Sequence, residues 1–235
     1  MTTEGIRKES SMFLKAVFPG KYIQGGGVIA ELPALAKLLG KKGLILTSAT
    51  GRDKLLPPYA GQWRQEPLAI DLFQGECCEE ELHRLAGVVR RERADVLIGM
   101  GGGKAIDTAK IAADRAGIPV IIVPTIASTD APCSGCAIVY SAAGVFESVH
   151  YQKLNPQVVL VDTRIIAEAP VRFLVAGMGD ALATWFEARS CRATQSPNEC
   201  GGLSTLTANR LAKLCYDTLL SDRKSTRLNS SHRIR

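Results

Sequence analysis

Three features of this sequence predict an α/β fold built on a parallel sheet. Short apolar runs alternate with stretches of helical period, the pattern of repeated strand–helix–strand units. One run, residues 96–100, ends in Gly101, Gly102 and Gly103 and turns helical at Lys104. Hydrophobic residues make up 46% of the 235 and charged residues 22%, enough for a sizeable core and too apolar for disorder over most of the chain.

Taken in order, residues 1–18 form a short lead-in with a helix expected over 10–17. Pro19-Gly-Lys-Tyr-Ile-Gln24 reads as a turn and then a strand. After Gly25, Gly26 and Gly27, a helix is expected over 28–39, with Ile29, Leu32, Leu35, Leu38 and Leu39 on one face and Pro33 disturbing its first turns. Gly40 and Gly43 bracket the turn into a strand over 44–47. Residues 48–64, with Gly51, Pro57, Pro58 and Gly61, read as loop or broken helix before a strand over 68–73. A charged amphipathic helix over 79–93 turns Leu82, Leu85, Val88 and Val89 inward and leaves His83 on the surface.

The glycine corner follows. Glycine permits positive φ and lets a phosphate reach the backbone with no Cβ in the way. The helix predicted over 104–116 would aim its free N–H groups and positive dipole end at an anion, and Lys104 adds a full charge there. The same glycines would equally serve a tight strand–helix turn for steric reasons alone. A strand over 120–123 ends at Pro124, and a polar loop carrying Thr125, Ser128, Thr129 and Asp130 begins where ligands of open α/β sheets bind. Residues 137–140 and 146–151 read as a hairpin around Ala143-Gly144, with His150 on it. A buried strand over 158–161 ends at Asp162-Thr163, a helix cap. From Arg164 the period stays helical: Gly177-Met-Gly-Asp180 opens one helix through Ala193, and residues 198–220 give another. The domain boundary is placed there, with an α/β domain at 1–165, a partial helical domain at 166–221 and a separate tail at 222–235.

The net charge of +6 does not speak for nucleic acid. Arg223, Lys224, Arg227, Arg233 and Arg235 against Asp222 put +4 in the tail, which leaves +2 for the body. Seven cysteines include one Cys133-Ser-Gly-Cys136 pair without a second, so structural thiols are expected rather than a zinc or redox site. With no apolar run of membrane-spanning length and no signal-type segment, a soluble cytoplasmic protein without membrane or nucleic-acid partners is expected.

Four segments resemble the metal-dependent (iron/zinc) alcohol dehydrogenase superfamily, in its glycerol-oxidising branch. They are Pro19-Gly-Lys-Tyr-Ile-Gln-Gly25; Gly101-Gly-Gly-Lys104 with Asp107-Thr-Ala-Lys110; Pro124-Thr-Ile-Ala-Ser-Thr-Asp-Ala-Pro-Cys-Ser134; and Val175-Ala-Gly-Met-Gly-Asp-Ala-Leu-Ala-Thr-Trp-Phe-Glu-Ala-Arg189. The resemblance implies a Rossmann-like sheet domain followed by an all-helical domain, the dehydroquinate-synthase-like architecture, with the active site between them. It implies oxidation of glycerol or a similar small polyol by NAD with one divalent metal, zinc being the first choice, and a homo-oligomer for the intact enzyme. Carried over by position, Gly101, Gly102, Gly103, Lys104 and Asp107 would line the pyrophosphate and nicotinamide region. Thr125, Ser128, Ser134, Cys136 and Tyr140 would line the rest of the dinucleotide groove. Asp130 would bind substrate and Asp180 would be the first metal ligand.

Three departures qualify that expectation. The superfamily's second and third metal ligands are histidines of the later helical domain, and none of His83, His150 and His232 matches them. Residues 222–235 match no part of the pattern and read like adapter or vector sequence joined near Ser221. With two ligands and half of the implied cleft missing, turnover is expected to be lost or impaired and apolar helix surface after Ala167 exposed. Finally, Ser48, followed by Arg52 and Lys54, stands where an Asp often binds the adenosine ribose; NAD is kept over NADP. A sugar-phosphate cyclase of the same architecture and a noncatalytic dinucleotide-binding fragment are the alternatives.

Overall fold

The computed structural model describes residues 13–221, which form two compact units: Val17–Ala181, and the described residues of Met1–Ala16 with Leu182–Arg235. The expected tail, His232 and the first residues of the expected N-terminal helix lie outside the described residues. No helix among those described is long and apolar enough to cross a membrane.

The first unit is built on eight strands: β1 (Tyr22–Gly25), β2 (Gly43–Thr47), β3 (Leu68–Leu72), β4 (Val96–Gly101), β5 (Val120–Pro124), β6 (Cys136–Tyr140), β7 (Phe146–Tyr151) and β8 (Val158–Asp162). Six of them form one parallel sheet in the order β1-β8-β5-β4-β2-β3, and β6 and β7 form a separate antiparallel hairpin. Every residue of β2, β4 and β5 is buried. That is why these strands read as unbroken apolar runs, since a parallel sheet is covered on both faces.

Side chains alternate between the faces. Leu44, Leu46, Leu97, Ile122 and Val159 pack with the inward residues of α2 (Glu79–Glu92) and α3 (Gly103–Ala116). Ile45, Val96, Ile98, Ile121 and Leu160 pack with Ile29, Trp63, Ile165 and the inward residues of a helix over Leu32–Leu39, here called α1.

Several boundaries differ from the sequence expectation. The segment 28–39 divides into a 3-10 turn, Val28–Glu31, and α1; Pro33 falls in the first turn of α1, where its missing N–H costs nothing. Residues 13–17 are not helical: Leu14 forms a parallel bridge to Leu203, and Lys15 N–H donates to Leu203 O at 3.0 Å. Asp162 does cap α4 (Thr163–Glu168), accepting from Arg164 N–H at 3.0 Å. The helix expected to open at Gly177 begins earlier, as α5 (Val171–Thr194), because Gly177 and Gly179 are tolerated inside it. The last helix, α6 (Leu206–Ser221), starts late because Thr205 Oγ1 accepts from Ala208 N–H at 3.1 Å and caps it.

Candidate functional site

From β2 the chain passes to β3 on one side of the sheet, and from β4 to β5 on the other. The adjacent carboxyl ends of β2 and β4 therefore flank a topological switch point, the place where open α/β sheets bind ligands. At the end of β4 lies the glycine corner. Gly102 caps α3 with extended backbone, and none of Gly101, Gly102 and Gly103 has positive φ. The expectation that these glycines serve φ is corrected: they serve space. A Cβ on Gly102 would lie 2.8 Å from Ile126 Cδ1, one on Gly103 3.3 Å from Thr129 Cγ2, and one on Gly101 2.8 Å from Ala105 Cβ. The corner is thus pressed against the 125–130 loop, and the first N–H groups of α3 emerge there without helical acceptors.

The loop is tied at both ends. Thr125 N–H donates to Gly101 O at 3.0 Å, and Asp130 N–H donates to the Asp180 carboxylate at 2.9 Å. Between them, Gly177 of α5 sits so near Ala127 that a Cβ would lie 2.2 Å from its carbonyl oxygen. Asp180 is interior to α5, so its carboxylate is not held by a helix N-terminus as a residue early in the helix would be; its fixed partner is the loop. Burial, and then the charge of Asp180, push the Asp130 carboxyl above the usual Asp range. Asp130 also lines a cavity of about 450 Å³ with Tyr22, Ile126, Thr129, Val161 and Thr163. That cavity opens beside β1 and β8, and Gly101–Gly103 are not among its walls.

The other residues singled out in the sequence divide into two groups. Lys104 stands at the mouth of the corner, 2.5 Å from the Glu76 carboxylate and with its ammonium 5.5 Å from the centre of the Tyr140 ring. Asp107, Ser134 and Cys136 instead meet inside the protein around Lys110, whose side chain is fully buried. Lys110 Nζ donates to Ala131 O at 2.9 Å, Ser134 Oγ at 3.0 Å, Cys136 O and Asp107 Oδ1 at 3.3 Å. Asp107 Oδ2 accepts from Ile138 N–H at 3.1 Å. Burial pushes Asp107 upward against the opposing pull of Lys110. Cys133 and Cys136 are not joined, and burial raises both thiols. Ser128 borders the approach of Gly177, with its Cα 3.2 Å from a Cβ placed there.

The structure therefore brings Gly101–Gly103, Thr125, Thr129, Asp130 and Asp180 together at one end of the sheet. Glu76 and Lys110 are the participants that sequence reasoning did not assign. Lys110 carries a usable signal, being a lysine three residues after Asp107 among Ile106, Ala109, Ile111 and Ala112 in the middle of the helix. Glu76 has none, since it is brought to Lys104 only by the fold. Among the described residues no three His, Cys, Asp or Glu side chains are grouped to hold a metal ion. His83 Nδ1 is bonded to Glu79 O at 2.8 Å and His150 Nε2 to Asp114 at 2.9 Å, both away from Asp180.

Comparison with known proteins adds an independent line. A family model described as iron-containing alcohol dehydrogenase matches residues 19–163. A glycerol dehydrogenase from Thermotoga maritima is 47% identical over 210 residues, covering 89% of this chain and 57% of that protein. A glycerol dehydrogenase from Escherichia coli O6:H1 is 41% identical over 223 residues, covering 92% of this chain and 59% of that protein. The crystal structure of a probable glycerol dehydrogenase from Sinorhizobium meliloti superposes with a TM-score of 0.83 at 42% identity, over 89% of this chain and 57% of that one. The chain thus spans somewhat more than half the length of these relatives.

Proposed function

Because this chain belongs to the iron-containing alcohol dehydrogenase family, we propose that its protein oxidises glycerol or a similar small polyol to the corresponding ketone, with NAD as hydride acceptor and one divalent metal, zinc before iron. The observation that carries the reading is the junction of the glycine corner, the Thr125–Asp130 loop and the Asp180 carboxylate at the carboxyl end of β4 and β5. The corner suits a dinucleotide: it is headed by a helix N-terminus and flanked by Lys104. Thr125 and Ser128 would border the cofactor, and Asp130 would bind a polyol hydroxyl. Holding hydroxyl-bearing carbon against the nicotinamide is the protein's main contribution to hydride transfer.

Asp180 is chemically suited to be one oxygen ligand of a divalent cation, which when bound supplies Lewis acidity to a substrate oxygen. One carboxylate and an adjacent Asp130 do not complete such a site among the described residues. The 235-residue chain assayed by itself is therefore expected to bind dinucleotide and to turn over polyol poorly. NADH fluorescence on titration, together with NADH formation from NAD and glycerol with added zinc, tests both parts. Absence of NADH binding would sink the dehydrogenase reading, and robust glycerol oxidation by this chain would sink the expectation of poor turnover. Small-molecule partnership follows from the same reading, as does a cytoplasmic setting. A homo-oligomer is the corresponding expectation for the intact enzyme.

A further inference from the structure

We propose that Lys110 is the positioning residue of the candidate cofactor groove, its buried ammonium clamping the segment from Ala131 to Cys136 onto α3 so that the Thr129–Asp130 wall stands at a fixed distance from the glycine corner. The inference rests on the dinucleotide reading for its functional consequence, but its geometry stands apart from it.

A lysine ammonium out of water is costly unless its N–H groups are matched. Lys110 has no side-chain exposure, and its three donors meet four acceptors: two backbone carbonyls, one hydroxyl and one carboxylate. Three of those acceptors, Ala131 O, Ser134 Oγ and Cys136 O, lie on the segment that follows Asp130 directly. Ser134 Oγ accepts from Lys110 and turns its own proton toward Cys136 O at 3.1 Å or Ala131 O at 3.3 Å. Asp107, on the same helix as Lys110, reaches past the ammonium to Ile138 N–H at the start of the hairpin. One ion pair of α3 thus grips four points between Ala131 and Ile138, two on the irregular approach to β6 and two on the first residues of that strand.

The same helix presents the glycine corner at its N-terminus. Gly103 opens α3, and a Cβ there would stand 3.3 Å from Thr129 Cγ2. α3 therefore holds one wall of the groove by its first turn and the other by Lys110, two turns further on. Loss of the clamp would leave the glycine corner intact and release the opposite wall.

The test uses the chain with Lys110→Met, and the double variant Asp107→Asn with Lys110→Met, which removes both charges and strands neither. NADH titration, thermal melting and amide hydrogen exchange are read on each. The single variant is expected to melt lower and to bind NADH about tenfold more weakly, the size of one lost charged hydrogen bond. The double variant should regain much of the melting temperature, yet keep the weakened NADH binding and fast exchange at residues 130–138, with β2 exchange unchanged. A purely structural lysine would regain affinity with stability, so wild-type-like NADH binding in the double variant overturns the proposal. So does slow exchange at residues 130–138 in either variant. If both fail to fold, Ser134→Ala, which strands no charge, decides by the same two readouts with an effect of about threefold. Should the unaltered chain not bind NADH, exchange alone decides the clamp, and the failure belongs to the dinucleotide reading.

Discussion

The backbone N–H of Asp130 donates to the carboxylate of Asp180 at 2.9 Å, so two acidic residues from β5's loop and the interior of α5 share one corner. Burial and the Asp180 charge raise the Asp130 pKa. A carboxyl raised in the folded state contributes stability that is present below its ordinary pKa and lost as pH rises through the raised value. Asp130 is therefore a cost at neutral pH, and Asp130→Asn is expected to raise the melting temperature there by about 1–2 °C, a small effect because the residue, although crowded by the protein around its carboxyl, still keeps much of its surface in water. The gain should vanish at about pH 3, below the unfolded Asp pKa. Asp180→Asn should bring the Asp130 titration down toward the ordinary range, which carboxyl NMR titration would read. An unmoved Asp130 would deny the coupling.

Lys104 is held by Glu76 at 2.5 Å. A dinucleotide phosphate would have to compete with that carboxylate for the ammonium. Glu76→Gln is expected to tighten NADH binding about two- to fivefold, the scale of a partly exposed ion pair. Lys104→Met should weaken it about tenfold and flatten its dependence on salt. Equal affinity and equal salt dependence in both variants would place the phosphate elsewhere.

Gly177 lets α5 pass against the backbone of the 125–130 loop, where a Cβ would come within 2.2 Å of Ala127 O. In an ordinary exposed helix, Gly→Ala stabilises by about 1 kcal/mol. Here Gly177→Ala is expected to do the reverse, lowering the melting temperature by several degrees and loosening the Asp130–Asp180 bond, since backbone must move rather than a flexible side chain. A melting temperature at or above that of the parent would show that the loop yields freely.

These relationships explain what could be read in advance. The strands β2, β4 and β5 and the helices α2 and α3 were legible because each is buried or amphipathic over its whole length, and local pattern and tertiary burial agree. The glycine corner was legible in kind but not in cause, because three consecutive glycines look alike whether they serve φ or close approach. The start of α5 was misplaced because glycine and aspartate read as a helix opening, whereas Gly177 is interior and its purpose is the contact with Ala127. The pairing of Lys104 with Glu76, and of Lys110 with Ala131, Ser134 and Cys136, depends on segments far apart in the chain, which no local period encodes.

Asp162, 1% exposed, joins β8 to the glycine-rich turn after β1. Its carboxylate accepts from Gly27 N–H at 3.1 Å, Ile29 N–H at 3.2 Å and Arg164 N–H at 3.0 Å. Burial raises its pKa, but these backbone donors outweigh it and the net shift is downward. The stability it contributes is therefore present above the ordinary Asp pKa and lost as pH falls through the lowered value. Asp162→Ala leaves three N–H groups without acceptors and is expected to cost about 2–4 kcal/mol at neutral pH by urea unfolding. The cost should shrink as the parent is acidified below about pH 4. A loss under about 0.5 kcal/mol would mean that water replaces the carboxylate.

α5 and α6 carry apolar side chains that stay largely exposed. Val171, Leu174, Val175, Leu182 and Phe186 of α5 are each more than a third exposed. Leu206, Leu211 and Leu214 of α6 are 49–62% exposed. Exposed apolar surface of this extent marks a contact face, and in isolation it drives association. The chain is therefore expected to bind an apolar dye and to increase in mean mass with concentration across the micromolar range, by sedimentation. Leu211→Glu with Leu214→Glu should weaken that association at least tenfold, since two buried leucines are worth about 3 kcal/mol or more. The substitutions should leave NADH binding unchanged, because both residues lie outside the unit that holds the glycine corner. A chain that stays monomeric and dye-free throughout would show that these side chains are satisfied by water alone.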